Sequence, residues 1–170
     1  MTIKAPVYFG LPTLLLAASP VAQAQPDEAA SSLNALKQLV GIWRVADKPA
    51  SPLRIRFALT AGGTVLVESW SRGDQPHSLT VYHRDGAGLV ATHYCPQGNQ
   101  PRLALVARSP RGRIQFAFQD ATDLDVARES YLIALSFDVS DLTTLVRREV
   151  YRQDGTDTSS ELKLVRELQK

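Results

Sequence analysis

The chain has 170 residues, 44% of them hydrophobic, which is enough for one domain with a real core and short for two. Its 19 basic and 17 acidic side chains are interspersed, so it carries no electrostatic footprint for nucleic acid. With a single cysteine, Cys95, no intramolecular disulfide can form, and stability must come from the core.

Residues 1–24 read as a secretory signal. Lys4 and the amino terminus supply positive charge, and an apolar run follows from Ala5 to Ala18. Ala22-Gln23-Ala24 then fits small-x-small cleavage before Gln25. The run is short and interrupted by Pro6 and Pro12, which argues against a retained spanning helix. No later apolar segment reaches that length, and the residue after the cleavage point is Gln25, not a cysteine that could carry a lipid, so stable membrane insertion is not expected. Cleavage removes one basic residue, Lys4, of the 19, and leaves 18 against 17 acidic side chains. The expected product is periplasmic or secreted.

Residues 25–32, "QPDEAASS", look like a flexible leader with little apolar content. Ser32 can cap a short helix, "LNALKQLV", in which Leu33, Leu36 and Val40 fall at helical spacing. From there the period switches to two. "LRIRFAL" places Leu53, Ile55, Phe57 and Leu59 on one face, and "RIQFAFQ" does the same with Ile114, Phe116 and Phe118. "YLIALSF" offers Tyr131, Ile133, Leu135 and Phe137, and "ELKLVREL" offers Leu162, Leu164 and Leu168. The turn signals "TAGGT", "RDGAG", "SPRG" and "RQDG" lie between such segments.

About ten strands at this spacing suggest an all-β fold, a single antiparallel up-and-down barrel of about 8–10 strands over residues 33–170 with a short helix at its start. Closing the sheet removes its vulnerable edges. Gly41-Ile42-Trp43 opens the first strand, and Arg166 shares a face with the leucines of the last. An arginine on an apolar face needs a partner for its desolvated charge, and the Trp43 indole is a suitable one.

The polar residues concentrate in one hairpin, "HSLTVYHRDGAGLVATHYC", turning near Asp85-Gly86-Ala87-Gly88. Period-two arithmetic puts Thr80, Tyr82, Leu89, Ala91, His93 and Cys95 on one face, with Leu79, Val81, His83, Val90, Thr92 and Tyr94 on the other. His93 and Cys95 are therefore neighbours, while His83 and His77 point away. Two same-side ligands fall short of the three or four a zinc site needs, and no metal is expected. A haem held non-covalently through His93 needs only one axial histidine, but no attachment motif calls for it, and no cofactor is expected. Cys95 activated by His93 is the sharpest enzymatic alternative, with no oxyanion hole or Gly-x-Ser-x-Gly to support it. The next turn, Gly98-Asn99-Gln100-Pro101-Arg102, reads either as turn chemistry or as a polar rim at a barrel mouth.

The run Tyr82-His83, Asp85-Gly86, Leu89, Thr92 to Cys95 and Gly98 to Arg102, with "GGTVLVE" upstream and "FAFQDATDL" downstream, resembles a group of bacterial, often exported proteins. Members of that group have a calycin-like barrel of the lipocalin or fatty-acid-binding type. The resemblance spans residues 62 to 125 most specifically and implies a barrel, without implying an activity. Three functions are then open. The first is a binding module for a small apolar or amphipathic molecule, with Trp43, Trp70, Tyr82, His93 and Cys95 toward the cavity and Asn99, Gln100 and Arg102 at its rim. The second is an enzyme using His93 with Cys95 or Tyr82 for acid/base or nucleophilic chemistry. The third is a filled structural barrel with no ligand. Oligomeric state is not legible in the sequence.

Overall fold

The structure, a computed structural model, describes residues 27–108 and 112–167; the expected signal segment, residues 109–111 of the "SPRG" turn, and Leu168 lie outside them. One helix, α1 (Glu28–Lys37), precedes ten strands: β1 (Gly41–Val45), β2 (Leu53–Thr60), β3 (Val65–Arg72), β4 (Gln75–Asp85) and β5 (Gly88–Tyr94), then β6 (Gln100–Arg108), β7 (Arg113–Thr122), β8 (Tyr131–Asp138), β9 (Thr144–Gln153) and β10 (Thr156–Arg166). Each strand pairs antiparallel with its sequence neighbours, and β1 also pairs with β10, so the sheet closes into a ten-stranded up-and-down barrel. The expected architecture is therefore present.

The helix begins earlier than its apolar spacing suggests. Asp27, not Ser32, is the cap: its carboxylate accepts from the Ala30 amide at 3.0 Å, and Glu28 places a negative charge in the first turn, where the helix dipole favours it. Residues 28–32 of the expected leader are thus helical, because Ala29, Ser32, Leu33 and Leu36 form one buried stripe that joins the barrel core. Asp27 also pairs with Arg84 at 2.7 Å, which ties the helix start to β4.

Closure of the barrel at the helix end follows from three residues. The Arg166 guanidinium lies 4.5 Å over the Trp43 ring. It donates to the Gln38 carbonyl at 2.8 Å and also to the Val40 carbonyl, while Trp43 Nε1 donates to the Leu39 carbonyl at 2.7 Å. Three successive carbonyls just past the helix C-terminus are thereby satisfied, and the cation sits where the dipole favours it. Gly41 makes the approach possible. A Cβ there would fall 2.6 Å from Arg166 Nη1, and its φ of +138° is one that L side chains rarely adopt. Gly41→Ala is expected to cost about 2 kcal/mol of stability, from backbone strain and the displaced guanidinium, as a lower midpoint in urea unfolding.

Alternation holds along most strands, with two departures. On β8 the expected inward set was Tyr131, Ile133, Leu135 and Phe137, but a register shift between Leu132 and Ala134 changes the parity, and Leu132 is fully buried with Leu135 and Phe137. Leu59, at the end of β2, and Phe118, on β7 just past the last residue paired with β8, were expected in the core and are 44% and 37% exposed. The centre of the barrel is an aromatic layer: Phe57 against Phe137 at 6.3 Å, and Tyr82 against Phe116 at 5.8 Å and Phe137 at 5.9 Å. These distances suit edge-on and tilted ring packing.

Candidate functional site

Strands β3, β5, β7 and β9 start at the helix end of the barrel and run away from it. The inward residues late on those strands, Trp70, His93 and Tyr151, therefore line the opposite half. There the interior turns polar. Glu68 and Arg147 are 0% and 1% exposed, and Arg147 Nε donates to Glu68 Oε1 at 2.8 Å. The same oxygen accepts from Trp70 Nε1 at 2.6 Å, and Oε2 accepts from the Tyr82 hydroxyl at 2.5 Å. Arg147 Nη1 reaches Glu149 Oε2 at 2.5 Å, and Ser160 donates to the other Glu149 oxygen at 3.0 Å. The guanidinium carbon lies 4.6 Å over the Trp70 ring and 5.8 Å over that of Phe137.

Two carboxylates therefore share one buried guanidinium, and each perturbs the others. Burial opposes the charge on Arg147, but Glu68 and Glu149 more than offset it and hold its pKa above the ordinary value. Burial works to raise Glu149, and the Arg147 charge overcomes it, so the carboxyl stays below the usual range. Tyr82 is pushed well up, by burial first and by the Glu68 charge second, and its phenol remains a donor. The Nη2 amino group of Arg147, with its two N–H, is buried with no hydrogen-bond partner among the described residues.

Beside this cluster His93 is held at both ring nitrogens, by the Thr80 hydroxyl at 2.9 Å and the Tyr151 hydroxyl at 3.2 Å. The inner face deduced from hairpin arithmetic is thus present, with Thr80 opposite His93 and Tyr82 opposite Ala91 across the strand pair. Burial, with the Arg147 charge adding to it, pushes His93 down to about 4, so the imidazole is neutral at physiological pH. Burial also raises Tyr151, with Glu149 acting in the same direction. A neutral imidazole of low basicity between two hydroxyls is a positioning group, and it is a weak general base. Haem coordination through either nitrogen would displace Thr80 or Tyr151.

Cys95 does not complete a dyad with His93. Strand β5 ends at Tyr94, and Cys95 turns into a loop in which its amide donates to the Asn99 carbonyl at 3.1 Å and its carbonyl accepts from Gly98 at 3.0 Å. Its thiol is half-buried and raised, chiefly by burial, the opposite of what a thiolate nucleophile needs.

Trp43 is fully buried at the helix end, away from the polar half. Asn99 is also fully buried, and its amide donates to Glu129 and the Ser130 carbonyl, tying two loops together. Gln100 and Arg102 turn outward: Gln100 accepts from Thr122 at 2.5 Å, and Arg102 makes a two-pronged pair with Asp120 at 2.5 Å. Both line an external groove of about 460 Å³ with His83 and Tyr94, so of the expected rim residues neither faces the interior.

No protein-family model matches the chain, and no curated protein matches it. Among the described residues, no three His, Cys, Asp or Glu side chains are grouped to hold a metal ion, and no helix is long and apolar enough to cross a membrane. Of the residues singled out from sequence, the structure brings together Trp70, Tyr82 and His93. It adds Arg147, Glu149 and Tyr151, all on β9, where "TLVRREVYRQ" shows no apolar alternation because its inward face is itself polar. The available signal was opposite the gap: β9 pairs with β8, whose Leu135 and Phe137 sit directly across from Glu149 and Arg147.

Proposed function

We propose that the protein is an exported barrel that binds a small apolar or amphipathic molecule in the half of its interior remote from α1. One observation carries the reading: the Glu68–Arg147–Glu149 network is buried in that half and leaves a guanidinium N–H unmatched. Desolvating three charges is a poor route to stability, since apolar side chains of similar size generally do as well or better. Interior charge retained beside half-buried Trp70 and Tyr151 is the arrangement a ligand pocket uses, with apolar walls and a few fixed polar groups. The expected signal segment supports the exported part of this reading.

His93 and Thr80 then serve as a fixed polar wall, and the aromatic layer of Phe57, Tyr82, Phe116 and Phe137 as the floor. The test is titration with the neutral fluorophore N-phenyl-1-naphthylamine, which brightens in apolar sites. Saturable binding of one probe per chain is expected. A flat titration, with the barrel folded by circular dichroism, would reject the binding function.

A further inference from the structure

Resting on that binding reading, the charge count of the polar cluster restricts what the ligand carries at its inner end. Glu68 already has three donors on its two oxygens, from Trp70, Tyr82 and Arg147. Glu149 accepts from Arg147 and Ser160. The buried donor without a partner is on Arg147, whose side chain is 1% exposed. His93, neutral between Thr80 and Tyr151, adds no positive charge.

We infer that the ligand's polar end is an uncharged hydrogen-bond acceptor, an alcohol, ketone or amide oxygen, which pairs with Nη2 of Arg147. A neutral oxygen matches the unpaired N–H and removes the cost of leaving a buried donor unmet. A carboxylate could make the same bond, but it would enter a site where two carboxylates already face one guanidinium, with one negative charge in excess. Like-charge contact in a desolvated site is strongly unfavourable, and this gives selection by repulsion. An ammonium head would be drawn by that excess, yet it brings only donors and leaves the Arg147 N–H unmet. The site is thus the electrostatic reverse of one built to clamp a fatty acid.

The test displaces N-phenyl-1-naphthylamine from the full-length mature protein with octan-1-ol and with octanoate at pH 7.5, which share a chain and differ at the head. Octan-1-ol is expected to displace the probe at about tenfold lower concentration than octanoate. Glu149→Gln keeps an oxygen for Arg147 and removes the excess charge. It should lower the ratio of the octanoate to the octan-1-ol displacing concentration at least about threefold. A general packing defect would move both ligands together. Octanoate equal to or better than octan-1-ol in the wild-type protein, or no displacement by either, would overturn the head-group assignment while the bound probe still upheld the binding function. Failure of the probe itself to bind would instead remove the binding function on which the assignment rests.

Discussion

Arg147→Met is expected to destabilise the barrel by about 3–5 kcal/mol, because it strands Glu68 and Glu149 in the interior without their countercharge. The loss belongs to the unpaired carboxylates more than to any intrinsic worth of the ion pair. The triple variant Glu68→Gln, Arg147→Met, Glu149→Gln should therefore recover most of it, even though it removes more native hydrogen bonds. Urea unfolding followed by circular dichroism measures both. A single-variant cost below about 1 kcal/mol, or a triple variant no better than the single, would mean that the three charges are not coupled in the interior. The comparison also separates two views of the site. If the network were a stability device, its wholesale neutralisation would be the most damaging change.

The second large effect is with pH. His93 sits at about 4 in the folded protein against 6.5 for a free imidazole, so the unfolded chain takes up a proton that the folded chain refuses. The sign follows: stability present above about pH 6.5 is lost progressively as pH falls toward 4, and the loss amounts to about 3 kcal/mol. His93→Gln keeps a polar group between Thr80 and Tyr151 and cannot titrate. Between pH 7.5 and 4.5 the wild-type protein should lose about 2–3 kcal/mol more than this variant in urea unfolding. Equal losses for the two would show that His93 is free to protonate in the folded state, contrary to its burial between two hydroxyls.

How much of this was legible in the sequence depends on which signal each residue gives. The barrel follows from period-two alternation and short turns, and the inner face of the β4–β5 hairpin from parity alone, which placed Tyr82, Thr80 and His93 together. Gly41, Trp43 and Arg166 were readable because an arginine in an apolar register demands an aromatic or polar partner. Parity failed on β8, where a bulge shifts the register, and at Cys95, where the strand ends one residue earlier and the chain turns. It also could not show that Gln100 and Arg102 face outward, since their strand begins with a loop of undetermined length. The site itself stayed hidden for a physical reason. An inward face made of Arg147, Glu149 and Tyr151 has the composition of an outward one, and only tertiary pairing with Glu68 across the barrel reveals that these charges satisfy each other.

The two tryptophans mark the two ends of the barrel interior, Trp43 under α1 and Trp70 against Arg147. Their indole N–H resonances in a proton–nitrogen correlation spectrum therefore report where a ligand sits. On addition of N-phenyl-1-naphthylamine, the Trp70 resonance is expected to shift in proportion to occupancy while that of Trp43, bonded to the Leu39 carbonyl beneath the aromatic layer, stays fixed. A probe that binds and moves Trp43 alone, or neither indole, would contradict a ligand site in the polar half.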